Sequence, residues 1–426
     1  VSTIAANTGT VDVGLSGAAS IGTVGSVTGI TATGTVKLTS GGNLTIASGA
    51  AVSASGTGDA LVLAASGTFT NNGGASALSV AGGGRFLVFS ISPLTSSTGG
   101  VAALPYYNRA FTFSGRTYTA LTNTGNRFVY SYAPTLTVTP DAVNQTYSGQ
   151  TFTGSTYTIT GLVTGDSLSD AVSGTGTITG SGRNAGTYTL TAGAGTLASD
   201  LGYGFSYGTG TLTIAKKDLT YAVANGSVTY GTLATNGAVT LTGVVDGDEV
   251  AGTVTTWRGT NAETLAVRTD TGSLTQKVTA LTGTDAANYQ IAATGNTDGV
   301  LTIGQKALTY VIAAASSVYG TLATLGTATL TGVVDGDSVT ASTGLSGATL
   351  EAKLAAGTYD QTVTLGGADS GNYSLAATGN SIGRLTVARK SLTYAIADVN
   401  STYGTLAVPG TPTLTGVLMG DTVTAA

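Results

Sequence analysis

Short runs of alternating apolar and polar residues, separated by turns rich in Gly, Asp and Asn, occur along most of the chain. In LTYAV, Leu219, Tyr221 and Val223 share one face of an extended strand, whereas Thr220 and Ala222 share the other. The same alternation places together Tyr359, Val363 and Leu365, and also Leu301 and Ile303. Strands of roughly five to seven residues with such turns predict small β-sandwich or β-grasp-like modules.

These strand-like segments recur with a long period. LTGVVDGD begins at Leu241 and again at Leu330, and a variant, LTGVLMGD, begins at Leu414. The motif YGTLA occurs three times and is separated by the same two intervals. NYQIAATGN, which begins at Asn288, returns as NYSLAATGN from Asn372. Repetition of both order and spacing predicts tandem modules.

The repeats divide the chain after residue 135 into modules. A diverged first copy carries TYSG, GLVTGDS and AGTYTLT in the same order. Modules of about 85 residues bury about 60–65% of their unfolded surface, which is enough for folding. We expect an elongated array in which neighbours support one another, with the last repeat completed by chain beyond residue 426. The predicted boundaries are 136–217, 218–306 and 307–390 for three repeats and 391–426 for a partial one.

The first 92 residues follow a different pattern. Leu44, Leu61 and Leu78 are evenly spaced, as are the apolar residues two positions after each of them. This spacing predicts the end of a parallel β-helix with one such leucine in every coil, and stacked coils advance about 4.8 Å each. Residues 93–135 match neither pattern and predict a cap, because an uncapped coil would present an open strand edge. The predicted fold is therefore all-β, a capped β-helix end followed by repeat modules.

Composition supports the all-β prediction and excludes several chemistries. Charged residues make up 9% of the chain, and 65 of its 426 residues are Gly. There is no Cys and no His, so Cys/His zinc sites and Ser-His-Asp or Cys-His nucleophiles cannot form. The net charge is -5, and we expect no nucleic acid partner. No apolar run is long enough to span a bilayer.

Several motifs resemble known bacterial exoproteins. GDALVLAASGTFTNNGGASALSVAGGGRFLVFS, followed by YYNRAF, resembles the C-terminal end of the β-helix in filamentous-haemagglutinin-type adhesins. TYSG and GLVTGDS in the first repeat resemble YDG modules. YGTLA, LTGVVDGD and NYSLAATGN in the later repeats resemble YGX-type MBG modules. The resemblance covers about residues 40–426.

The resemblance implies a setting and a role. Adhesins of this family are exported by two-partner secretion, so the implied partners are an outer-membrane secretion pore and then a host surface, a neighbouring cell or a matrix polysaccharide. The implied location is the cell surface of a Gram-negative bacterium, and the implied role is adhesion or biofilm cohesion. The family's N-terminal secretion domain is not among these residues.

The repeated DGD motifs have two interpretations. Asp246, Asp248, Asp335 and Asp337 could supply oxygen ligands to Ca²⁺, which takes about six to eight of them. No further acidic residue recurs nearby in register. The alternative is a turn in which Asp bonds the backbone and Gly adopts a positive φ. We expect the turn and no cofactor, with calcium as the alternative.

Five asparagines fit the N-x-Ser/Thr pattern of glycosylation acceptors. The alternative is a turn Asn that bonds its own backbone. The candidates are Asn43, Asn144, Asn225, Asn372 and Asn400.

Most of the 19 tyrosines alternate with Val and Leu, which predicts core positions. Tyr106 and Tyr107 lie outside the repeats, and we expect them to form an exposed aromatic contact pair.

No enzymatic activity is expected. The acidic residues lie in repeated turns, whereas a glycosidase builds one pair of carboxylates in one pocket. A repeated unit makes length, so the sequence favours a stalk or spacer of an adhesin. The alternative is a subunit of an extracellular filament, assembled by strand complementation at the partial repeat.

Overall fold

A computed structural model describes residues 1–425, so Ala426, the last residue of the predicted partial repeat, lies outside the described residues. Strands dominate, and the all-β prediction is confirmed. The chain forms two compact units, Val1–Lys217 and Asp218–Ala426. Within residues 1–425 no helix has the length and apolar character needed to cross a bilayer. The helical segments are Leu168–Ala171 and the 3-10 turns Ala286–Asn288 and Ser370–Asn372.

Residues 1–92 form three parallel sheets, which we call the coil stack. Four successive turns of the chain each contribute one strand to every sheet. The first sheet contains Ser2–Ile4, Ala19–Ile21, Leu44–Ile46 and Phe69–Asn71. The second contains Ala6–Thr8, Ile30–Ala32, Val52–Ala54 and Leu78–Val80. The third contains Val11–Leu15, Val36–Ser40, Asp59–Ala65 and Arg85–Ser90, and a small hairpin pairs Thr23–Val24 with Val27–Thr28.

The coils repeat at a longer interval than the leucine spacing predicts, and the predicted register is wrong. Val36 pairs with Leu61 of the next coil, and Leu61 pairs with Phe86 of the coil after that. Leu44, Leu61 and Leu78 instead lie on three different sheets. Each coil has three apolar faces, so a regular spacing of leucines arises between faces as well as between coils.

Stacked aliphatic side chains fill the interior of the coil stack. Leu38 pairs with Leu63, which pairs with Val88, and all three are buried. Fully burying one such side chain stabilises the fold by about 1.5–3 kcal/mol. Continuous backbone pairing and a continuous apolar column therefore hold this region together.

The segment 93–135 extends the coil stack and covers it. Leu104–Tyr106 and Arg127–Tyr130 add two parallel strands to the third sheet. A hairpin of Phe111–Thr112 and Thr117–Tyr118 packs on the outside, with the Phe111 ring 5.2 Å from that of Phe89. The apolar surface of the last coil is thereby removed from water.

Each complete module consists of two facing sheets. In the first module, the smaller sheet contains Thr135–Pro140, Tyr157–Thr160 and Gly204–Tyr207. Its larger sheet contains Val143–Thr146, Thr209–Ala215, Gly186–Gly193 and Thr177–Thr179, with Phe152–Thr153 pairing Ser181–Gly182 alongside.

The second and third modules repeat this plan. The second has sheets of Lys217–Val223, Val239–Thr242 and Tyr289–Ile291, and of Gly226–Thr229, Gly299–Gly304, Gly272–Thr282, Ala251–Arg258 and Asn261–Glu263. The third has Lys306–Ile312, Ala328–Thr331, Tyr373–Leu375 and Ser381–Ile382, and Ala315–Val318, Arg384–Ala388, Gly357–Gly366 and Thr340–Leu345. The partial module pairs Thr393–Ile396 with Pro412–Thr415.

The alternation predicted for LTYAV is confirmed. Leu219, Tyr221 and Val223 are buried, whereas Thr220 is half-buried and Ala222 is exposed. Tyr221 and Val223 belong to a small apolar cluster between the two sheets of the second module. Alternation in the sequence thus identified the face on which this strand packs.

Candidate functional site

The repeated DGD motif forms a tight turn before the strands of the larger sheet. The Asp337 backbone N–H donates to the Val334 carbonyl at 3.1 Å, and the Asp248 N–H donates to Val245 at the same distance. Gly336, directly before Asp337, has a φ of +84°, which glycine adopts without the strain of a side chain. The turn fixes the position of the aspartate that follows it.

The Asp337 carboxylate joins the third module to the second. Its Oδ2 accepts hydrogen bonds from Tyr373 of its own module at 2.5 Å and from Tyr230 of the preceding module at 2.8 Å. Arg268 of the preceding module forms an ion pair with the Asp337 Oδ1 at 2.5 Å. The Asp337 side chain is fully buried, so these contacts replace its water. We call these four residues the Asp337 joint.

The tyrosine of the same module also fixes the turn. The Tyr373 hydroxyl donates to Asp337 and accepts the Val334 N–H at 2.9 Å. The turn therefore uses the hydroxyl both as a hydrogen-bond donor and as an acceptor. The same two bonds are made by Tyr203 with Asp166 and Val163, and by Tyr289 with Asp248 and Val245.

Apolar contacts complete the Asp337 joint. The rings of Tyr230 and Tyr373 meet edge-on, with centroids 5.4 Å apart. Both rings belong to a core cluster that includes Ile303 of the second module and Leu308 of the third. Apolar burial across the junction therefore accompanies the charged contact. The joint orders two modules relative to each other rather than merely tethering them.

A second joint of the same kind lies between the third module and the partial module. Asp421 Oδ1 accepts from the Tyr319 hydroxyl at 3.2 Å and from Lys353 Nζ at 2.7 Å. Lys353 also donates to the Met419 carbonyl at 2.5 Å. Lys353 thus takes the part that Arg268 has in the preceding joint. We call Asp421, Tyr319 and Lys353 the Asp421 joint.

A third joint connects the cap segment to the first module. Asp166 Oδ2 accepts from Tyr107 at 2.7 Å and from Tyr203 at 2.5 Å. The two rings meet edge-on at 4.9 Å, and Tyr107 also stacks on Tyr130 at 5.9 Å. We call Asp166, Tyr107 and Tyr203 the Asp166 joint.

The joints shift the pKa values of their members. Burial raises the pKa of the Asp337 carboxyl, but the bonds from Tyr373 and Tyr230 and the Arg268 charge bring its pKa below the ordinary value. Burial, together with the bond to Asp337, raises the pKa of Tyr373 to about 12. Burial and the bond to Asp166 likewise raise the pKa of Tyr203 to about 12. At neutral pH the tyrosines are therefore neutral donors and Asp337 is an ionised acceptor.

The structure separates the four candidate calcium ligands into two kinds. Asp246 and Asp335 are exposed at the tips of their turns. Asp248 and Asp337 instead accept tyrosine hydroxyls, and calcium binding at the four aspartates stays the alternative prediction. Within residues 1–425, no three His, Cys, Asp or Glu side chains are grouped so that they could hold a metal ion. The positive φ predicted for the turn glycine is confirmed.

The predicted exposure of Tyr106 and Tyr107 is wrong, because both side chains are buried. Tyr106 packs in a cluster with Phe89 and Phe111 on the outside of the third sheet. Tyr107 turns inward because its hydroxyl reaches Asp166, 59 residues later in the chain. The pair therefore packs in the protein and forms no exposed aromatic surface.

The candidate glycosylation sites also divide. Asn372 is buried, donates to Asp270 at 2.8 Å and accepts from the Thr271 N–H at 2.9 Å, so the structure contradicts its use as an acceptor. Asn43 and Asn225 bond distant backbone rather than their own turn, by accepting the N–H groups of Thr68 and Val300. Modification stays a prediction for the four exposed residues, Asn43, Asn144, Asn225 and Asn400.

Sequence reasoning missed the joints themselves. It identified the recurring YGTLA, DGD and NY motifs separately and assigned them to core, turn and glycosylation. The signal that could have linked two of them is the equal step of YGTLA and DGD, since the interval from Tyr230 to Tyr319 equals that from Asp246 to Asp335. Groups that recur in lockstep at an interval of one module are candidates for contact between modules.

Comparison with known protein families finds a match for one part of the chain. Residues 136–213 match the MBG domain (YGX type), which supports an adhesin-type repeat of the YDG/MBG class at the first module. The sequence motifs had likened this module to the YDG kind and the later ones to the MBG kind. The MBG resemblance of residues 218–426 stays a prediction.

The other comparisons add no argument about function. No curated protein matches the chain. Drosophila N-cadherin EC1-4 is similar at 9% identity and a TM-score of 0.20, covering 62% of this chain and 77% of that one. Drosophila N-cadherin EC1-3 is similar at 8% identity and a TM-score of 0.15, covering 48% of this chain and 76% of that one. Scores this low carry no conclusion about fold or activity.

Proposed function

We propose that the chain is a stalk segment of a large secreted bacterial adhesin, exported by two-partner secretion to the surface of a Gram-negative cell. The MBG match over residues 136–213 supports an adhesin-type repeat protein. The motifs YGTLA and NYSLAATGN support the same family in the later modules. The stalk would hold a binding region away from the cell during adhesion or biofilm cohesion.

The observation that carries the proposal is the recurrence of one joint. Asp337 meets Tyr230 of the module before it, and Asp421 meets Tyr319 of the module before it. The third module therefore presents a tyrosine hydroxyl to the module that follows it, as the second module does. A joint that is built from repeated residues lets modules be added in series without a new interface.

The chemistry of the joint suits a stalk under load. A buried carboxylate that accepts two tyrosine hydroxyls forms charge-assisted hydrogen bonds, which are about twice as strong as neutral ones. Burial of the rings adds apolar contact, which salt does not screen as it screens interactions between charges. Such joints would resist bending between modules at low and at high ionic strength.

Small-angle X-ray scattering of the 426-residue chain tests the proposal. We expect a radius of gyration well above the about 22 Å of a compact globule of this length. A value near the compact one would contradict the stalk. Open-ended polymers of a 41.5-kDa subunit in electron micrographs would favour the filament instead.

A further inference from the structure

A cavity of about 380 Å³ lies at the Asp166 joint, between the cap segment and the first module. Its walls include the carboxylates of Asp166 and Asp170, the hydroxyl groups of Tyr130 and Ser167, and the apolar side chain of Leu104. A volume of this size accommodates a small organic molecule. The cavity therefore combines negative charge with neutral hydroxyl groups.

At the other two joints, the carboxylate that accepts the tyrosine hydroxyl also pairs with a cationic side chain. Arg268 pairs with the Oδ1 of Asp337, and Lys353 pairs with the Oδ1 of Asp421. At the Asp166 joint, both tyrosines bond Oδ2. No lysine or arginine nitrogen of residues 1–425 lies within 4.0 Å of the Asp166 carboxylate. The cavity thus lies at the one joint of the three whose carboxylate has no cation.

A hydroxyl without a partner at the cavity wall points to the same conclusion. Tyr130 is 4% exposed, lines the cavity, and has no hydrogen-bond partner for its hydroxyl among the described residues. Burial raises the pKa of Tyr130 to about 12, so this hydroxyl stays neutral and can accept or donate a hydrogen bond. The ring is packed in the protein interior while the residue lines the cavity, so a ligand there would supply a hydrogen-bond partner for the hydroxyl.

We propose that this cavity binds a small organic cation, an ammonium or guanidinium group, between Asp166, Asp170 and Tyr130. The cationic group of the ligand would pair with the Oδ1 of Asp166, as Arg268 pairs with the Oδ1 of Asp337 and Lys353 with that of Asp421. Asp170, which also lines the cavity, would supply a second carboxylate. Its Oδ2 accepts a hydrogen bond from the Ser167 hydroxyl at 2.7 Å, which holds this carboxylate in place. The proposal does not depend on the stalk function.

The cationic group could come from a free amine or from an amino sugar. Titrations of the full chain with ethylguanidinium and with glucosamine, followed by NMR, distinguish these sources. Glucose and N-acetylglucosamine serve as neutral controls. We expect saturable binding of at least one cation and none of the neutral sugars. Preferential binding of glucosamine would assign the site to an amino sugar.

Variants locate the site. Asp170 is exposed, so Asp170→Asn should leave the fold intact while weakening binding about tenfold, as loss of one charge-assisted hydrogen bond predicts. Tyr130→Phe keeps the ring and should weaken binding severalfold. Thermal unfolding of each variant verifies that it is folded. Binding that is unchanged in both folded variants would overturn the proposal.

The Asp337 joint provides a matched test within the same chain. Arg268→Ala removes the cation from the Asp337 carboxylate. This variant should bind a second equivalent of ethylguanidinium, so that the stoichiometry rises from one to two. Absence of saturable binding to the unmodified chain, equal binding of glucose, or a stoichiometry unchanged by Arg268→Ala would each contradict the inference.

Discussion

The coil stack and the repeat modules are both built from short strands, but they are held together in different ways. Successive coils pair their backbones directly, as when Val36 pairs with Leu61. The second and third modules are each closed by their own sheets and meet through side chains around Asp337. Stability in the coil stack is therefore spread along the interior, whereas coupling between these modules is concentrated in a few polar groups and the apolar cluster beside them.

The largest effect should come from the interior of the coil stack. Leu63→Ala removes a fully buried side chain from a column continued by Leu38 and Val88. We expect the unfolding free energy of this region to fall by about 3–4 kcal/mol, measured by urea denaturation. Leu94→Ala is the control, because Leu94 is exposed and should change stability by less than about 0.5 kcal/mol. Equal effects of the two substitutions would contradict the packing described for this interior.

The next effect should come from the acceptor of the Asp337 joint. Asp337→Ala leaves the hydroxyls of Tyr230 and Tyr373 without their acceptor, and leaves Arg268 with only its longer, 3.9 Å ion pair to Asp369. We expect the second and third modules to lose about 2–3 kcal/mol of stability and to unfold less cooperatively with each other. Urea denaturation measures the loss of stability, and hydrogen exchange within each module measures whether the two modules unfold together.

The neighbouring aspartate is a matched control for this substitution. Asp335 lies in the same turn, two positions before Asp337, and is exposed. Asp335→Ala should leave stability within about 0.5 kcal/mol. If the two aspartates were equally sensitive, the turn itself and not the joint would be responsible.

Smaller effects should separate the two tyrosines of the joint. Tyr373→Phe removes a donor to Asp337 and also the acceptor of the Val334 N–H, whereas Tyr230→Phe removes one donor only. We expect losses of about 2 and about 1 kcal/mol respectively, measured by urea denaturation. Tyr394→Phe is the control, since Tyr394 is 71% exposed. Tyr230→Phe should cost less when Asp337 is already Ala, and full additivity would show that the pair is not coupled.

These contrasts explain how far the sequence could predict the molecule. Alternation found the buried face of LTYAV because it depends on neighbours in the chain. The coil period was misjudged because Leu44, Leu61 and Leu78 lie on different sheets.

The joints depend on contacts between distant residues, which local patterns do not report. Tyr230 and Asp337 are 107 residues apart, and Tyr107 and Asp166 are 59 apart. For the same reason Tyr107 could not be assigned to the interior from its own surroundings, and the cavity beside it could not be found.

The smallest effect at neutral pH, and the most specific, concerns titration of the Asp337 joint. The pKa of Asp337 is lower in the folded chain, so its contribution is present above the ordinary value of 3.8 and is lost as the pH falls through the folded pKa. The pKa of Tyr373 is raised from 10.0 to about 12, so its contribution is present below pH 10.0 and is lost as the pH rises towards 12. We expect unfolding free energies of the Asp218–Ala426 unit, measured by urea denaturation across pH, to fall at both extremes.

Substitutions assign each limb of this pH profile to one residue. Asp337→Asn should flatten the acid limb, because the residue no longer titrates, and Tyr373→Phe should flatten the alkaline limb. Leu38, Leu63 and Val88 carry no titratable group, so this interior column of the coil stack should contribute neither limb. If Asp337→Asn left the acid limb unchanged, the acid sensitivity would belong to other carboxylates. The joint would then be held mainly by its apolar contacts, as the coil stack is.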